Sequence, residues 1–253
     1  MVVFDELFSL TGRVALVTGG NGGLGLACAR ALRAAGAGVV VTGRDAEKNL
    51  GVAVEFEVLE LDVRDERQVQ AVIGQVVDRH GRLDILVNNA GIFRDQAALD
   101  VDLDGWDEVL QTNLSGALLC AKHAAAAMIA AGHGGKILNV GSMFSVFGHP
   151  AGIGYVASKT AVVGLTRALA VELGAHGIQV NAILPGWFET AMNEGVSPER
   201  REAIRRRMPA GRWGQPDDVA GVVVFLASAA SGYVTGTALP VDGGYLVSER
   251  DLS

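Results

Sequence analysis

Short runs of β-branched and aliphatic residues alternate with longer helical patterns along the chain, and this alternation constrains the fold more than any other feature. Because the runs are almost continuously apolar, they are typical of parallel strands covered on both faces by helices. We predict an α/β fold with a doubly wound parallel sheet of about seven strands. The predicted strands are Val14–Val17, Val39–Val41, Val54–Leu61, Ile85–Val87, Lys136–Val140, Gln179–Ile183 and Thr237–Val241. The predicted helices lie near residues 24–35, 66–79, 104–130, 153–173, 198–207 and 216–229.

The predicted sheet belongs to one domain. No stretch of the sequence has the composition of a linker, so residues 1–253 are expected to fold together. Pro240 lies in the last predicted strand and lacks a backbone N–H, which places that strand at an edge. Ligands of such sheets bind beyond the carboxyl ends of the strands, so the residues that follow each strand are the candidates for function.

Composition and charge argue against two classes of partner. The net charge is −7 and the pI is near 5.2, whereas nucleic-acid binding depends on Lys and Arg that neutralise phosphates. The first ten residues carry acids where a secretory signal has basic residues, and no apolar run is expected to approach the ~18 residues of a membrane helix. We therefore expect no nucleic-acid or membrane partner and a cytoplasmic location.

The cysteines and histidines show no pattern of metal binding. Cys28 and Cys120 each lie in an apolar helical segment without CxxC spacing, which is typical of small core residues. The five histidines are scattered and no HExxH motif occurs. No metal site is predicted.

A glycine-rich turn, TGGNGGLG at residues 18–25, follows the first predicted strand. Glycine permits a tight turn and close approach of a ligand, and the free N–H groups of the following helix stabilise phosphate charge. The turn therefore predicts a Rossmann-like dinucleotide site, although its spacing differs from GxGxxG. The residues predicted to contact the cofactor here are Gly19, Asn21, Gly22, Gly23 and Leu24.

The end of the second strand indicates which dinucleotide binds. NAD sites place an Asp or Glu there for the ribose 2′-hydroxyl, whereas an arginine suits the 2′-phosphate of NADP. In the sequence VVVTGRD, Arg44 follows the strand with no acid before it. A guanidinium holds phosphate in a fixed fork, so NADP is favoured. Asp45 adjoins Arg44 and the glycine turn lacks a basic residue, so NAD stays open as the alternative.

The third and fourth strands also end in residues suited to a ligand. Asp62, followed by Val63, can accept a hydrogen bond from an adenine amino group. The motif NNAG follows the fourth strand, and its Asn89, Ala90 and Gly91 allow close approach of backbone to cofactor. Each segment alone is also compatible with a turn or a cap. Because both follow strands of one sheet, they point to a single crevice.

Tyr155 and Lys159 stand one helical turn apart in GYVASKTAVVG. Side chains at i and i+4 share a helix face, so the phenol and the ammonium can approach each other. Taken alone, the pair could equally be structural, with a buried tyrosine ring and a lysine whose stem packs on the protein while its ammonium reaches water. A serine, Ser142, ends the fifth strand shortly before this helix and could cap the loop or bond a reacting oxygen.

The ordered motifs together resemble the classical short-chain dehydrogenase/reductase family over essentially the whole chain. Any one of them is weak evidence, whereas six in order are highly specific. They are TGxxxGxG at Thr18–Gly25, NNAG at Asn88–Gly91, Asn113 in QTNLSG, Ser142 in NVGS, YxxxK at Tyr155–Lys159 and PGWFET at Pro185–Thr190. The resemblance implies an NAD(P)-dependent oxidoreductase that acts on CH–OH groups and transfers a hydride between nicotinamide C4 and a ketone or secondary alcohol. It also implies a homotetramer.

The resemblance assigns catalytic roles to four residues. Tyr155 would be the general acid/base and Ser142 would hold the reacting oxygen. Lys159 would bind the nicotinamide ribose and lower the pKa of Tyr155, and Asn113 would help to hold a water that links Lys159 to solvent. A cation at ~4 Å supplies about 4 kcal/mol at an effective dielectric of ~20, close to the ~3–4 kcal/mol that such a pKa change requires. On the nicotinamide side the implied contacts are Pro185, Gly186, Phe188 and Thr190.

The chain departs from the family pattern between Arg44 and Asp62, where the second helix is cut to a short DAEKNLGVA. The departure removes part of the adenine-side wall. The expected strength of NADP binding is lower for that reason.

Substrate specificity is expected to come from the loop after Ser142 and from a lid at residues 187–212. The candidate substrate residues are Ser142, Met143, Trp187 and Met192. Glu189, His149 and Arg94 could bond a polar substrate such as a sugar acid, or lie on the surface.

Three functions remain open. One is reaction at a ketone or secondary alcohol of a sugar acid or polyol, and another is reduction of a 3-oxoacyl thioester on an acyl carrier protein, with the arginines of residues 200–207 facing the carrier. The third is a non-catalytic, cofactor-binding regulatory protein, which the intact catalytic set argues against.

Overall fold

The predicted parallel sheet is present. The computed structural model describes residues 4–249, with side chains from residue 6 onward. Its strands are β1 Val14–Thr18, β2 Gly38–Gly43, β3 Glu57–Glu60, β4 Ile85–Asn88, β5 Gly135–Val140, β6 Ile178–Pro185 and β7 Ala238–Val241. They pair in parallel in the order β3-β2-β1-β4-β5-β6-β7. The order therefore reverses between β1 and β4, which is where a doubly wound sheet opens its crevice.

Helices cover both faces of the sheet. In the described part of the chain they are α1 Phe4–Phe8, α2 Gly23–Ala34, α3 Ala46–Val52, α4 Glu66–His80, α5 Leu103–Leu110, α6 Gly116–Ala131, α7 Ile153–Leu173, α8 Pro198–Arg207 and α9 Ala220–Ala227. Successive residues of β1 face opposite layers, so Ala15 and Val17 pack on the side of α2 and α9. Val14 and Leu16 pack on the side of α4 and α6.

The boundaries of the third strand were predicted wrongly, and the edge strand was predicted correctly. Val54 is 96% exposed in the turn after α3, so the strand expected over Val54–Leu61 begins only at Glu57. β7 is the last strand of the order, and Pro240 stands opposite Leu184 of β6. The missing N–H of Pro240 is tolerated because β7 pairs on one side only.

The helical segment Leu103–Ala131 is apolar over most of its length. It is 29 residues long and contains an 18-residue window with a mean hydropathy of 1.5, which meets, by length and composition alone, the requirements of a membrane-spanning helix. The prediction that no apolar run approaches this length is therefore wrong. Cys120, Ala124 and Met128 lie on the inner face of α6 and pack against α4 in the core, which accounts for the apolar residues of that face.

A buried carboxylate ties together the amino ends of β1 and β4. The Asp84 side chain is 3% exposed and accepts hydrogen bonds from the backbone N–H of Val14 at 2.9 Å and from Arg13 Nη1 at 2.9 Å. Arg82 adds a two-pronged contact, with its Nε 2.7 Å from Asp84 Oδ2. Burial raises the pKa of Asp84, but these hydrogen bonds together lower it below its usual value.

Candidate active site

Tyr155 and Lys159 lie on the first turns of α7, at the carboxyl edge of the sheet. The Tyr155 ring is enclosed by aromatic side chains, with the Phe93 centroid at 5.3 Å and the Phe144 centroid at 6.4 Å, both edge-on. The Lys159 ammonium lies 5.7 Å from the centre of the Tyr155 ring and donates to the Val140 carbonyl at 2.6 Å. The i, i+4 spacing therefore brings the two side chains together, as predicted.

The protonation of this pair is governed by burial. Burial lowers the pKa of Lys159 to about 8, because the ammonium loses water and none of the described carboxylates pairs with it. Burial raises the pKa of Tyr155, and a hydrogen bond with Ser142 opposes this. The expected lowering of the Tyr155 pKa by Lys159 is not seen in this structure. The physical reason is that the ammonium lies over the ring face and is directed at the Val140 carbonyl.

Ser142 both caps a loop and faces Tyr155. Its Oγ accepts the N–H of Phe144 at 3.2 Å, which starts the 3₁₀ turn Met143–Ser145. A hydroxyl that accepts one hydrogen bond keeps its own proton free to donate. The structural and the reacting-oxygen interpretations of Ser142 are therefore compatible.

Asn113 sits in the π-helical turn Gln111–Ser115 between α5 and α6. Its Oδ1 accepts the N–H of Ile92 at 2.8 Å, and its Nδ2 donates to the Ile92 carbonyl at 2.9 Å and to Ser158 Oγ at 3.1 Å. Both amide hydrogens are thus used by the protein, and a water bound to the Asn113 side chain would need the one remaining acceptor position of Oδ1. A Cβ at Gly91 would lie 3.2 Å from Asn113 Oδ1, so glycine lets these two segments approach.

The glycine turn leaves an open cradle at the start of α2. A Cβ at Gly25 would lie 2.2 Å from the Gly19 carbonyl oxygen, so only glycine fits there. Gly22 caps α2 without a side-chain hydrogen bond, and apart from its chain neighbours no described residue lies within 4 Å of where its Cβ would be. The first-turn N–H groups of α2 are therefore available to an anion, as a pyrophosphate site requires.

Hydrogen bonds from the NNAG segment hold the glycine turn in position. Asn89 Nδ2 donates to the carbonyls of Thr18 at 3.0 Å and Gly19 at 2.9 Å. The N–H groups of Asn89 and Ala90 both donate to Thr18 Oγ1 at 3.1 Å. The Asn89 side chain thus acts first as a support of the cradle, and its backbone is the part placed along the crevice.

Arg44 lies beside a pair that sequence reasoning missed. Its Nη1 is 3.7 Å from Asp62 Oδ2, a loose contact, and its side chain is 42% exposed. Asp62 is held more closely by Arg64, with Arg64 Nε 2.9 Å from Oδ1, and these hydrogen bonds lower the pKa of Asp62. Asp45 is turned to the Lys48 N–H as the cap of α3. Arg44, held only by its loose contact with Asp62, can meet a phosphate, whereas Asp62 can reach an adenine amino group only in competition with Arg64.

The signal for Arg64 was present in the sequence. It follows Asp62 and Val63 directly in LDVRD, so its side chain can fold back on the carboxylate two residues earlier. A carboxylate with an arginine at i+2 after a strand could have been recognised as paired.

The PGWFET segment crosses from the end of β6 to the glycine turn. Pro185 is the last residue of β6, and the close approach of Gly186 to Asp242 would leave only 2.7 Å between an added Cβ and the Asp242 Cβ. Phe188 is buried and bridges to Gly214. The Thr190 methyl lies 3.8 Å from a Cβ built on Gly23, so this segment closes over the cradle.

The substrate candidates separate into buried and exposed residues. Met143 and Trp187 are 1% and 7% exposed and belong to an aromatic cluster that also contains Phe144 and borders Tyr155. Met192 is 55% exposed. Met143 and Trp187 thus lie in the cluster against which Tyr155 packs, and Met192 lies at the surface; their role toward a substrate stays a prediction.

The two cysteines are buried and unpaired. Burial raises the pKa of Cys28 and of Cys120 to about 12, so neither is a nucleophile at neutral pH. Within residues 4–249 no three His, Cys, Asp or Glu side chains converge in a way that could hold a metal ion.

Comparisons with known proteins cover nearly the whole chain. A family model described as enoyl-(acyl carrier protein) reductase matches residues 19–246. A 2-dehydro-3-deoxy-D-gluconate 5-dehydrogenase of Dickeya dadantii is 42% identical over 246 residues, which cover 94% of this chain and 97% of the relative. A 3-oxoacyl-[acyl-carrier-protein] reductase of Thermotoga maritima is 38% identical over 246 residues, or 94% of this chain and 99% of the relative.

A solved structure has the same fold at similar identity. It is the gluconate 5-dehydrogenase from Burkholderia cenocepacia in complex with NADP and tartrate, with a TM-score of 0.90 and 40% identity. The match covers 95% of this chain and 98% of that one. The likeness is therefore one of complete domains.

Proposed function

The chain belongs to the short-chain dehydrogenase/reductase family, and from this premise we propose that it is an NADP-dependent dehydrogenase of sugar acids. It is an oxidoreductase acting on CH–OH groups, as its relatives are. The observation that carries the proposal is the approach of Ser142, Tyr155 and Lys159 at the sheet edge where the glycine turn opens.

The residues present fit NADP. The uncapped start of α2 suits the pyrophosphate, and the loosely paired Arg44 suits the 2′-phosphate. A Cβ added at Gly91 would lie 3.5 Å from Lys159 Nζ, so Gly91 borders the lysine expected to bind the nicotinamide ribose. When bound, the nicotinamide supplies or accepts the hydride.

This chain's own residues move the proton. In the direction of reduction the Tyr155 hydroxyl gives its proton to the oxygen of the former carbonyl, and the Ser142 hydroxyl donates a hydrogen bond to that oxygen. Because burial raises the pKa of Tyr155, the phenol is protonated at neutral pH and ready for this step. The opposite direction requires loss of that proton, so oxidation should need a higher pH.

The substrate class is supported by relatives and by the site. The Dickeya relative and the Burkholderia structure are both named as dehydrogenases of gluconate-type acids. A 3-oxoacyl thioester is the second candidate, favoured by the Thermotoga relative. The arginines expected to dock an acidic carrier are partly neutralised, since Arg201 pairs with Glu189 and Arg205 with Glu202. This neutralisation favours the sugar acid.

A turnover assay tests the proposal. Loss of NADPH or NADH absorbance is followed with 5-keto-D-gluconate, acetoacetyl-CoA and a simple cyclic ketone, with Ser142→Ala as the matched inactive variant. We expect turnover of the keto acid with NADPH at the highest kcat/KM. A higher kcat/KM for the thioester would assign the second candidate, and cofactor binding without turnover of any substrate would assign the regulatory alternative.

We also propose a homotetramer in the cytoplasm. Leu118 and Ile129 on α6 and Val171 on α7 are 43%, 39% and 85% exposed, which supports burial of these helices against other copies. Light scattering on a gel-filtration column measures the assembly directly, and a monomer would contradict it.

We also propose that residues 187–212, which run from just after β6 through α8, act as a lid that closes over the bound substrate. This segment carries Trp187 and Trp213 follows it, with ring centroids 5.3 Å apart beside the aromatic cluster. Protection of the segment from hydrogen exchange when cofactor and substrate bind would support closure, and unchanged exchange would refute it.

A further inference from the structure

His149 contacts the same two phenyl rings as Tyr155. Phe93 is edge-on to both Tyr155, at 5.3 Å, and His149, at 6.0 Å between centroids. Phe144 has the same arrangement, 6.4 Å from Tyr155 and 4.6 Å from His149. His149 and Tyr155 therefore belong to the same aromatic enclosure.

An arginine of α8 reaches this histidine. Arg200 Nη2 is 3.1 Å from His149 Nε2. A guanidinium has only donors, so Nε2 must be the acceptor, and the neutral imidazole carries its proton on Nδ1. That Nδ1 is buried and has no hydrogen bond of good geometry in the described part of the chain, although the Pro150 carbonyl lies close enough to affect it.

Arg200 brings positive charge that no described carboxylate pairs with. Among residues 4–249 it makes no ion pair, whereas Arg94 pairs with Glu108 and Arg201 with Glu189. Its one hydrogen bond to His149 leaves most of its five N–H groups unused by described side chains.

A third donor lies nearby. Trp187 is only 7% exposed, and its Nε1 has no hydrogen-bond partner among the described residues. Its ring centroid is 6.5 Å from that of His149. A buried N–H without an acceptor is costly, so an acceptor supplied by a ligand would be favourable here.

We propose that Arg200, supported by His149 and assisted by Trp187, binds the carboxylate of the substrate. The proposal rests on the proposed function, because it deepens the assignment to sugar acids. A carboxylate has about four acceptor positions, and its two oxygens match the two parallel N–H groups of a guanidinium. The corresponding polyol has neither the negative charge nor the paired oxygens. The three side chains come from the loop after β5, from the end of β6 and from α8, so the site is complete only when α8 packs on that loop.

Equilibrium binding separates charge recognition from turnover. The protein saturated with NADPH is titrated by calorimetry with D-gluconate and, separately, with D-glucitol, which differs in lacking the carboxylate. Neither compound reacts with NADPH, so binding is measured alone. The variants are Arg200→Gln, His149→Phe, and Arg206→Gln as the control, since Arg206 is an exposed arginine of the same helix.

The expected result is a selective loss. Arg200→Gln should raise the Kd for D-gluconate about tenfold or more, with the Kd for D-glucitol unchanged, because one charge-assisted contact is removed. His149→Phe keeps the aromatic packing but removes the acceptor of Arg200, and should raise the same Kd by a smaller factor. Arg206→Gln should change neither.

Two outcomes overturn the proposal. Wild-type protein that binds D-gluconate no more tightly than D-glucitol has no carboxylate site, and an Arg200→Gln variant with an unchanged Kd for D-gluconate places the site elsewhere. Selective binding that depends on Arg200, found together with absent turnover of 5-keto-D-gluconate, would support the carboxylate site while refuting the proposed function.

Discussion

Replacing Lys159 with methionine should stabilise the fold while destroying activity. Lys159 is 4% exposed, and burial lowers its pKa from 10.5 to about 8. At about 1.4 kcal/mol for each pKa unit, holding the ammonium in this site costs roughly 3 kcal/mol at neutral pH. Loss of the hydrogen bond to the Val140 carbonyl offsets about 1–2 kcal/mol of that gain. The variant Lys159→Met should therefore be more stable than wild type by about 1–2 kcal/mol at pH 7.

The sign of the pH dependence makes this prediction specific. The folded-state pKa is the lower one, so the cost is complete below pH ~8 and disappears as pH rises through the unfolded-state value near 10.5. Urea unfolding of both proteins at pH 7 and at pH 10 measures the difference. We expect the gain to shrink at the higher pH, and kcat of the variant to fall by about a hundredfold or more.

A second buried lysine provides the control. Burial also lowers the pKa of Lys136 to about 8, but this residue lies at the amino end of β5 and bonds Ser231 Oγ at 3.0 Å. Lys136→Met should leave kcat unchanged and raise stability less, because Lys136 is partly exposed and solvent screens its charge. A Lys159→Met protein that is less stable than wild type at pH 7 would refute the reasoning about burial.

Three further predictions concern the proton donor, the cofactor and the buried carboxylate. Tyr155→Phe should lower kcat by about 10²–10⁴-fold and leave the Kd for NADPH, measured by fluorescence, unchanged; unchanged turnover would refute its role. Arg44→Ser should weaken NADPH about tenfold or more without weakening NADH, and equal effects on both cofactors would remove Arg44 from the phosphate site. Asp84→Asn should lower the free energy of unfolding by about 2–3 kcal/mol at pH 7. Because the folded-state pKa of Asp84 is lowered, that difference is present above pH ~4 and lost as pH falls below it, which acid titration of both proteins checks.

The parts of this fold that sequence predicts are those fixed by local periodicity. Apolar runs give the seven strands, and Pro240 gives the edge, because each reports on its own backbone. The start of β3 was missed since Val54 is apolar but lies in a turn that only tertiary contacts define. The π-helical turn at Asn113 has no periodic signal either, as it inserts a single extra residue into a continuous helix.

The candidate site shows the same limit. Spacing places Tyr155 and Lys159 on one helix face, but it does not say where the ammonium points, and Val140 belongs to another element. The pairing of Arg200 with His149 joins residues 51 apart in sequence, which no local pattern reports. Orientation of polar groups thus depends on contacts between elements.

A buried charge is compensated by hydrogen bonds at the amino end of the sheet but not at the carboxyl end. This difference distinguishes a structural charge from a functional one. At the amino end Asp84 receives hydrogen bonds from two arginines and a backbone N–H, so its charge is satisfied and stabilises the fold. At the carboxyl end Lys159 donates to one neutral carbonyl, and no carboxylate of the described residues compensates its charge. Lys136 resembles Lys159 in pKa, but it lies at the amino end, is only partly buried and donates to Ser231 Oγ. An uncompensated and water-excluded charge lowers stability, so its presence is best explained by a ligand or a reaction that uses it, and it marks the carboxyl edge as the working side of the sheet.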